Sequence, residues 1–274
     1  YYSRGSEKFP IEIKNKEEKF CFKLKRKPLY FRLDPDYECP VKKVKLDISG
    51  AMLQEQLKRD RDPIGRIEAA QSLATKSANV KILDRCLKIE TDWGVAHRIA
   101  GALGKIGGEA ARDSLIKALN HHSHAKVRWG IIQALAVFTQ DEKVVRCLKK
   151  VAMGDPSYRV EAAALGALGR IKAKDCRKFL EGFLNRPSHN DIGRAAIFRA
   201  LANLEDEDAW QTILQGAEYG APQGSRPAAI QGLAKLAKRF EKLKPEAVEI
   251  FKRIAEETRG TPAATFRGKL AAIQ

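Results

Sequence analysis

The stretch that decides the fold is Asp155-Pro156-Ser157-Tyr158-Arg159-Val160-Glu161-Ala162-Ala163-Ala164-Leu165-Gly166-Ala167-Leu168-Gly169. Leu168 is its anchor. Ala164 stands four residues before it and Ile171 three after, and positions −4, 0 and +3 form one face of a helix. The same arrangement returns along the chain at Leu73, Leu103, Leu135, Leu168, Leu201, Leu233 and Leu270, at intervals of 30, 32, 33, 33, 32 and 37 residues. Each anchor is followed directly by a small residue: Ala74, Gly104, Ala136, Gly169, Ala202, Ala234 and Ala271. The positions four before are Ala69, Ile99, Ile131, Ala164, Ile197, Ala229 and Phe266. A period of this length is the mark of a repeat architecture.

The small residue beside each anchor has a physical purpose, because stacked helices approach closely only where a side chain is nearly absent. Between these inner helices the spacing predicts second helices at roughly 78–89, 108–119, 141–153, 173–184, 205–218 and 244–257. Each pair forms an antiparallel hairpin whose apolar face only its neighbours can cover, which is the logic of a solenoid. The fold class read from the sequence is therefore mostly α: an α-α superhelix of about seven helical pairs over 48–274.

Upstream the period changes. Phe9, Ile11 and Ile13, then Phe20, Phe22 and Leu24, then Leu29, Phe31 and Leu33, then Val44 and Leu46 alternate with polar residues. That pattern predicts short antiparallel strands over 1–47, the end of a β-sandwich domain, with turns at Asn15-Lys16-Glu17, Arg26-Lys27-Pro28 and Asp34-Pro35-Asp36.

Composition narrows the class of function. The 274 residues are 44% apolar, 7% aromatic and 31% charged, and 51 basic against 34 acidic residues give a net charge of +17. An excess of that size attracts nucleic acid, acidic proteins or anionic surfaces without choosing among them. Cys21, Cys39, Cys86, Cys147 and Cys176 are scattered without a Cys-x-x-Cys pair, which speaks against a zinc knuckle or a disulfide framework and for a reducing, cytoplasmic setting. No run approaches the apolar length of a membrane span, and no apolar signal-peptide core follows Tyr1.

Several residues invite a functional reading. Arg66, Arg128, Arg194 and Arg226 each fall seven residues before an anchor and so line up as a stripe. Such a stripe is a candidate binding track, but it is also what a ladder of arginines bonded to acidic groups or helix ends looks like, and Asp62 before Arg66 and Asp191 before Arg194 favour the ladder. Lys23, Lys25, Arg26 and Lys27 form the densest basic run, a candidate phosphate-contact patch or a charged strand edge that blocks aggregation. His121, His122 and His124 cluster in a loop but lack the oriented surroundings of a functional metal site. Trp93, beside Asp92, and Trp129 recur near the starts of inner helices, where an aromatic pair could hold a flipped base; core or interface packing is the plainer reading.

The Asp155–Gly169 stretch resembles the HEAT-like repeat of the phycobilisome-lyase type. Phe31-Arg32-Leu33-Asp34-Pro35, followed by Val44-Lys45-Leu46-Asp47 and Ile64-Gly65-Arg66-Ile67-Glu68-Ala69-Ala70, is similar over about residues 8–75 to the junction between β-sandwich and helical-repeat domain in aminopeptidase N-like zinc metallopeptidases. Their His-Glu-x-x-His and Gly-x-Met-x-Asn motifs are absent from this chain. The resemblance implies a non-catalytic C-terminal region that caps a zinc peptidase's active site. The zinc would then belong to the parent enzyme and none to this segment, with an upstream catalytic domain or a peptide as partner. The alternative is a free-standing basic HEAT-repeat protein that binds nucleic acid or an acidic protein.

Overall fold

A computed structural model of the chain describes residues 1–15, 17–38 and 47–257. It divides into two compact units, Tyr1–Ile106 and Gly107–Gln274. In the first, an irregular segment leads into α1 (Gly50–Arg59), α2 (Pro63–Leu73), α3 (Val80–Ile89) and α4 (Trp93–Ile106). The second holds α5 (Gly108–His121), α6 (Ala125–Leu135), α7 (Glu142–Gly154), α8 (Tyr158–Arg170), α9 (Arg177–Glu181), α10 (Ile192–Leu204), α11 (Trp210–Ala217), α12 (Arg226–Arg239) and α13 (Lys244–Glu257).

Side chains that satisfy the free N–H groups of the first turn fix where several helices begin. Ser49 accepts from the Met52 N–H at 3.3 Å, Asp62 from Ile64 at 3.0 Å, Asp92 from Val95 at 2.9 Å, and Asp141 from Lys143 and Val144 at 2.9 and 3.1 Å. Pro63 then opens α2, where its missing N–H costs nothing. Several inner helices end in left-handed turns at Gly107, Gln140, Lys172 and Glu205. These reverse the chain into the next outer helix, and glycine is the residue that adopts such a turn without strain.

Even-numbered helices form the inner layer and carry the anchors. Leu73, Leu103, Leu135, Leu168, Leu201 and Leu233 are all essentially inaccessible to solvent. In the first unit α2 packs on α4, with α1 and α3 laid over them; in the second, α6, α8, α10 and α12 stack in sequence, each paired with the odd-numbered helix before it. Backbones come close where α8 meets α10: a Cβ built on Gly169 would lie 2.4 Å from the Ala200 Cα. The small residue beside Leu168 is thus a condition of that contact. The outer helices fall close to their expected spans. The exceptions are α9, held to five residues behind the left-handed Asp175 and before Gly182, and α11, which begins after a 3-10 turn at Glu207–Ala209. The anchor at Leu270 lies outside the described residues.

The β segment is a correction. Among the described residues, 1–38 contain no strand, and Val44 and Leu46 lie outside them. The physical reason is exposure. The alternating rows are there, and the Phe9 and Phe22 rings approach to 4.8 Å, but Phe9, Ile11, Ile13, Phe20, Phe22 and Leu24 are all open to solvent, so no second layer makes a sheet face worth burying. Polar ties hold the segment instead. The Tyr1 amine donates to the Tyr30 carbonyl at 3.0 Å, Leu29 N–H donates to the Tyr1 carbonyl at 2.9 Å, and buried Arg32 reaches Asp62 at 2.7 Å and Asp60 at 3.6 Å. Among the described residues no helix is long and apolar enough to cross a membrane.

Candidate binding surface

The four stripe arginines share one environment. Arg66 places Nε and Nη2 on the Glu90 carboxylate at 2.9 and 3.0 Å, and its Nη1 donates to the Asp60 carbonyl at 2.9 Å. Arg128 repeats this one level on: Nε and Nη2 meet Asp155 at 2.7 and 2.8 Å, while Nη1 donates to the carbonyls of His122, at 3.1 Å, and Ser123. Arg226 donates to the Ala217 carbonyl at 2.9 Å and to Glu257 at 3.1 Å; Arg194 donates to the Leu184 carbonyl at 3.0 Å and to Asp191 at 3.1 Å. In every case the guanidinium occupies the carbonyl end of the preceding outer helix segment, where unsatisfied C=O groups and the helix dipole favour a cation. In three of the four it also holds a carboxylate at the end of the following outer helix.

Two inner helices lack such an arginine: α4 carries Ala96 at that position and α8 carries Glu161. There the polarity is reversed: Arg186, from the loop after α9, meets Glu161 at 2.8 Å and donates to the Met153 carbonyl at 3.1 Å at the end of α7. Sequence reading missed this reversed member because it searched for a recurring arginine, although Glu161 in register with Arg128 and Arg194 was the available signal.

A second set of inner-helix cations faces outward. On α8, Arg159, Ala163, Gly166 and Arg170 recur at helical spacing on the side turned away from α7, and Arg159 and Arg170 are exposed. The matching positions are Lys126 and Gln133 on α6, Ala196, Arg199 and Asn203 on α10, and Gln231 and Lys235 on α12, with Lys238 one turn further along α12. Hydrogen bonds between neighbouring helices show that these side chains share one surface: Arg170 Nη2 donates to Gln133 Oε1 at 3.0 Å and Lys235 Nζ to Asn203 Oδ1 at 2.6 Å. A Cβ on Gly166 would sit 3.6 Å from Arg170 Nη1, so the guanidinium lies along a floor of small residues.

The charge balance of the two layers differs sharply. The inner helices of the second unit carry two basic residues each on α6, α8 and α10 and four on α12, against the single acid Glu161, which Arg186 already holds. The outer helices together carry both signs, as in Glu109, Arg112 and Asp113 on α5 or Glu246, Glu249, Lys252, Arg253, Glu256 and Glu257 on α13, although α7 alone holds four basic residues against Glu142. Arg159, Arg199 and Lys238 have no ion-pair partner among the described residues.

The other candidates fall elsewhere. Lys23, Lys25, Arg26 and Lys27 are exposed in the N-terminal segment, where Arg26 stacks 4.5 Å over the Tyr2 ring and donates to the Arg4 carbonyl at 3.0 Å. His124 caps α6, its Nδ1 accepting from the Lys126 N–H at 3.2 Å, and among the described residues no three His, Cys, Asp or Glu side chains gather as a metal site. Trp210 is buried, whereas Trp93 and Trp129 stay about half exposed, and Asp92 is occupied in capping α4. A cavity of about 520 Å³ lies at the other end of these helices, lined by Gln140, Lys172, Lys174, Cys176 and Arg177 among others.

The model of HEAT repeats matches residues 50–136 and 112–202, more than half of the chain. The chain is a HEAT-repeat protein. Among solved structures it is similar to human deoxyhypusine hydroxylase in complex with glycerol, with 17% identity, 82% of this chain and 94% of that one covered, and a TM-score of 0.42. An engineered protein is similar at 17% identity over 81% and 94% of the two chains, with a TM-score of 0.32. No curated protein sequence matches it. The resemblance to aminopeptidase N-like peptidases is overturned: the family match is to HEAT repeats alone, and residues 1–38 supply no strand of a sandwich domain among those described. With it go the peptidase-cap role, the upstream catalytic partner and the parent enzyme's zinc.

Proposed function

We propose that this HEAT-repeat protein is a binding module whose contact surface is the outward face of α6, α8, α10 and α12, and that its partner is anionic. The observation that carries this reading is the segregation of charge: basic residues crowd one layer of the second unit with a single, already neutralised acid among them, while the opposite layer mixes signs. A solvated face with no function interleaves both signs, because like charges repel and some stability is lost when they gather. The stripe of Arg66, Arg128, Arg194 and Arg226 serves this surface indirectly. Its guanidinium groups are saturated by carbonyls and carboxylates, so it sets the spacing between repeats and leaves contact with a partner to Arg159, Arg170, Arg199, Lys235 and Lys238.

Retention on immobilised heparin tests the assignment. Reversing Arg159, Arg170 and Arg199 together to Glu should move elution to markedly lower salt. Reversing Lys143, Arg146 and Lys150 on the outer helix α7 changes net charge equally and should move it far less. Equal shifts from the two triple variants would mean that total charge, and no particular face, governs binding, and the reading would fall.

A further inference from the structure

Resting on that reading, we infer that the partner is an acidic protein segment bound in extended conformation across α6, α8, α10 and α12, with carboxylates at every third residue. Three features of the surface lead there. The first is spacing. Packed helices lie about 8–10 Å apart, and an extended chain rises about 3.3 Å per residue, so three residues span one helix-to-helix step. Arg170 on α8, Arg199 on α10 and Lys235 on α12 offer one cation per step, and a carboxylate at each third residue meets them in turn.

The second feature is the floor. Ala163, Gly166 and Ala196 lie between the cations, so a backbone can approach without displacing large side chains. Gln133, Asn203 and Gln231 stand along the same path. Their amide nitrogens donate, and each amide oxygen has two lone pairs, of which Arg170 and Lys235 take one each on Gln133 and Asn203, which leaves both kinds of group for the N–H and C=O of a peptide. A phosphate backbone accepts only, so half of that capacity would go unused against a nucleic acid.

The third is that the cations are already placed. Arg170 is held against Gln133 at 3.0 Å and Lys235 against Asn203 at 2.6 Å, both by neutral groups, although Glu205 at the end of α10 also lies within electrostatic reach of Lys235. Because these side chains are oriented before binding, little rotamer freedom is lost when the partner arrives.

The experiment uses the full chain and three fluorescein-labelled probes read by anisotropy at low salt: a peptide of four Glu-Ala-Ser triplets, a peptide of the same composition with its four Glu contiguous, and a single-stranded DNA of mixed sequence and equal length. The triplet peptide should bind severalfold more tightly than its contiguous isomer. Arg170→Glu combined with Arg199→Glu should weaken it by about tenfold or more, as expected when two desolvated charge contacts become repulsive. The milder pair Arg170→Gln and Arg199→Gln, checked by circular dichroism, should weaken it in the same direction and guards against loss of fold in the reversal variant. Equal binding of the two peptides would overturn the register argument. DNA binding that exceeds both peptides and is lost in the same variants would replace the acidic segment with nucleic acid. If heparin retention responds to reversal of this face but no peptide binds, the partner class alone is wrong; if retention is also indifferent, the surface assignment fails with it.

Discussion

Removing the Arg128 side chain should be among the costliest single changes in the second unit. Its guanidinium and the Asp155 carboxylate are 11% and 6% exposed, and they are joined by two parallel bonds of 2.7 and 2.8 Å. Arg128→Ala leaves Asp155 with the Ser157 N–H at 2.9 Å as its one remaining bond from the described residues, and strips the His122 and Ser123 carbonyls of their donor. Deleting one partner of a buried pair costs roughly 3–5 kcal/mol, because the survivor stays desolvated and uncompensated. The surviving Ser157 bond and the access of water to the α5 end place Arg128→Ala near the lower figure, about 3 kcal/mol, or roughly 6–12 °C in Tm for a chain of this size. Arg128→Lys keeps the charge but cannot form the fork, and should lose about half as much. Urea unfolding followed by far-ultraviolet circular dichroism reads both. In combination with Asp155→Asn the losses should be strongly non-additive, with a coupling of about 1–3 kcal/mol. A cost for Arg128→Ala below about 1 kcal/mol, or simple additivity with Asp155→Asn, would refute the view of the stripe as a clamp between repeats.

Other expectations follow from particular contacts. Gly169→Ala forces a methyl against the Ala200 backbone and should cost about 3 kcal/mol in urea unfolding, whereas Gly101→Ala meets nothing within 4 Å and should be neutral or stabilising by up to about 1 kcal/mol. Acid should weaken the second unit through Arg112. Its bond holds Asp113 below the usual carboxylate range despite some burial, and burial of Asp141 is outweighed by Arg112 and the Val144 and Lys143 N–H groups. Both folded values lie below the unfolded ones, so this stabilisation is whole above the unfolded value of about 3.9 and is lost as pH falls through the lowered folded values; Arg112→Gln should flatten that acid limb of a stability–pH curve. In a Cys39→Ser background, a thiol reagent should modify exposed Cys21 rapidly and reach Cys86 and Cys176 only on unfolding, since burial both shields those two and raises their pKa; rapid labelling of three or more thiols in the folded protein would contradict the packing.

The repeat was legible because its determinants are local and recurrent. An anchor leucine, a small residue beside it and apolar neighbours at helical spacing describe one helix face completely, and burial of all six described anchors follows from that face alone. The small residue at Gly169 could even be assigned its purpose before any coordinates. The N-terminal segment was not legible in the same way. Alternation at Phe9, Ile11 and Ile13 states that one side of an extended chain is apolar, but a strand exists only when a neighbour supplies the ladder, and that is not a local property. Nor was α1 singled out, since its buried Gln56 and Leu57 precede the first anchor helix and belong to no interval.

The candidate surface shows a subtler limit. Repeat analysis selects positions that recur, and in this chain the recurring arginines are the ones consumed by the fold: each sits where every repeat presents the same need, a carbonyl end that lacks donors. The cations proposed to meet a partner recur only in part, as Arg170 and Lys235 do two residues after their anchors. Arg159, Arg199 and Lys238 each stand at a different distance from their anchors and look like ordinary solvated charges in the sequence, and the shared register of Arg170 and Lys235, two residues after Leu168 and Leu233, is interrupted by Asn203 on α10. Only the side-by-side stacking of α8, α10 and α12, with Arg170 reaching Gln133 and Lys235 reaching Asn203, turns them into one surface. Periodicity therefore locates the scaffold, and the stacking of its helices shows which of the exposed charges lie side by side.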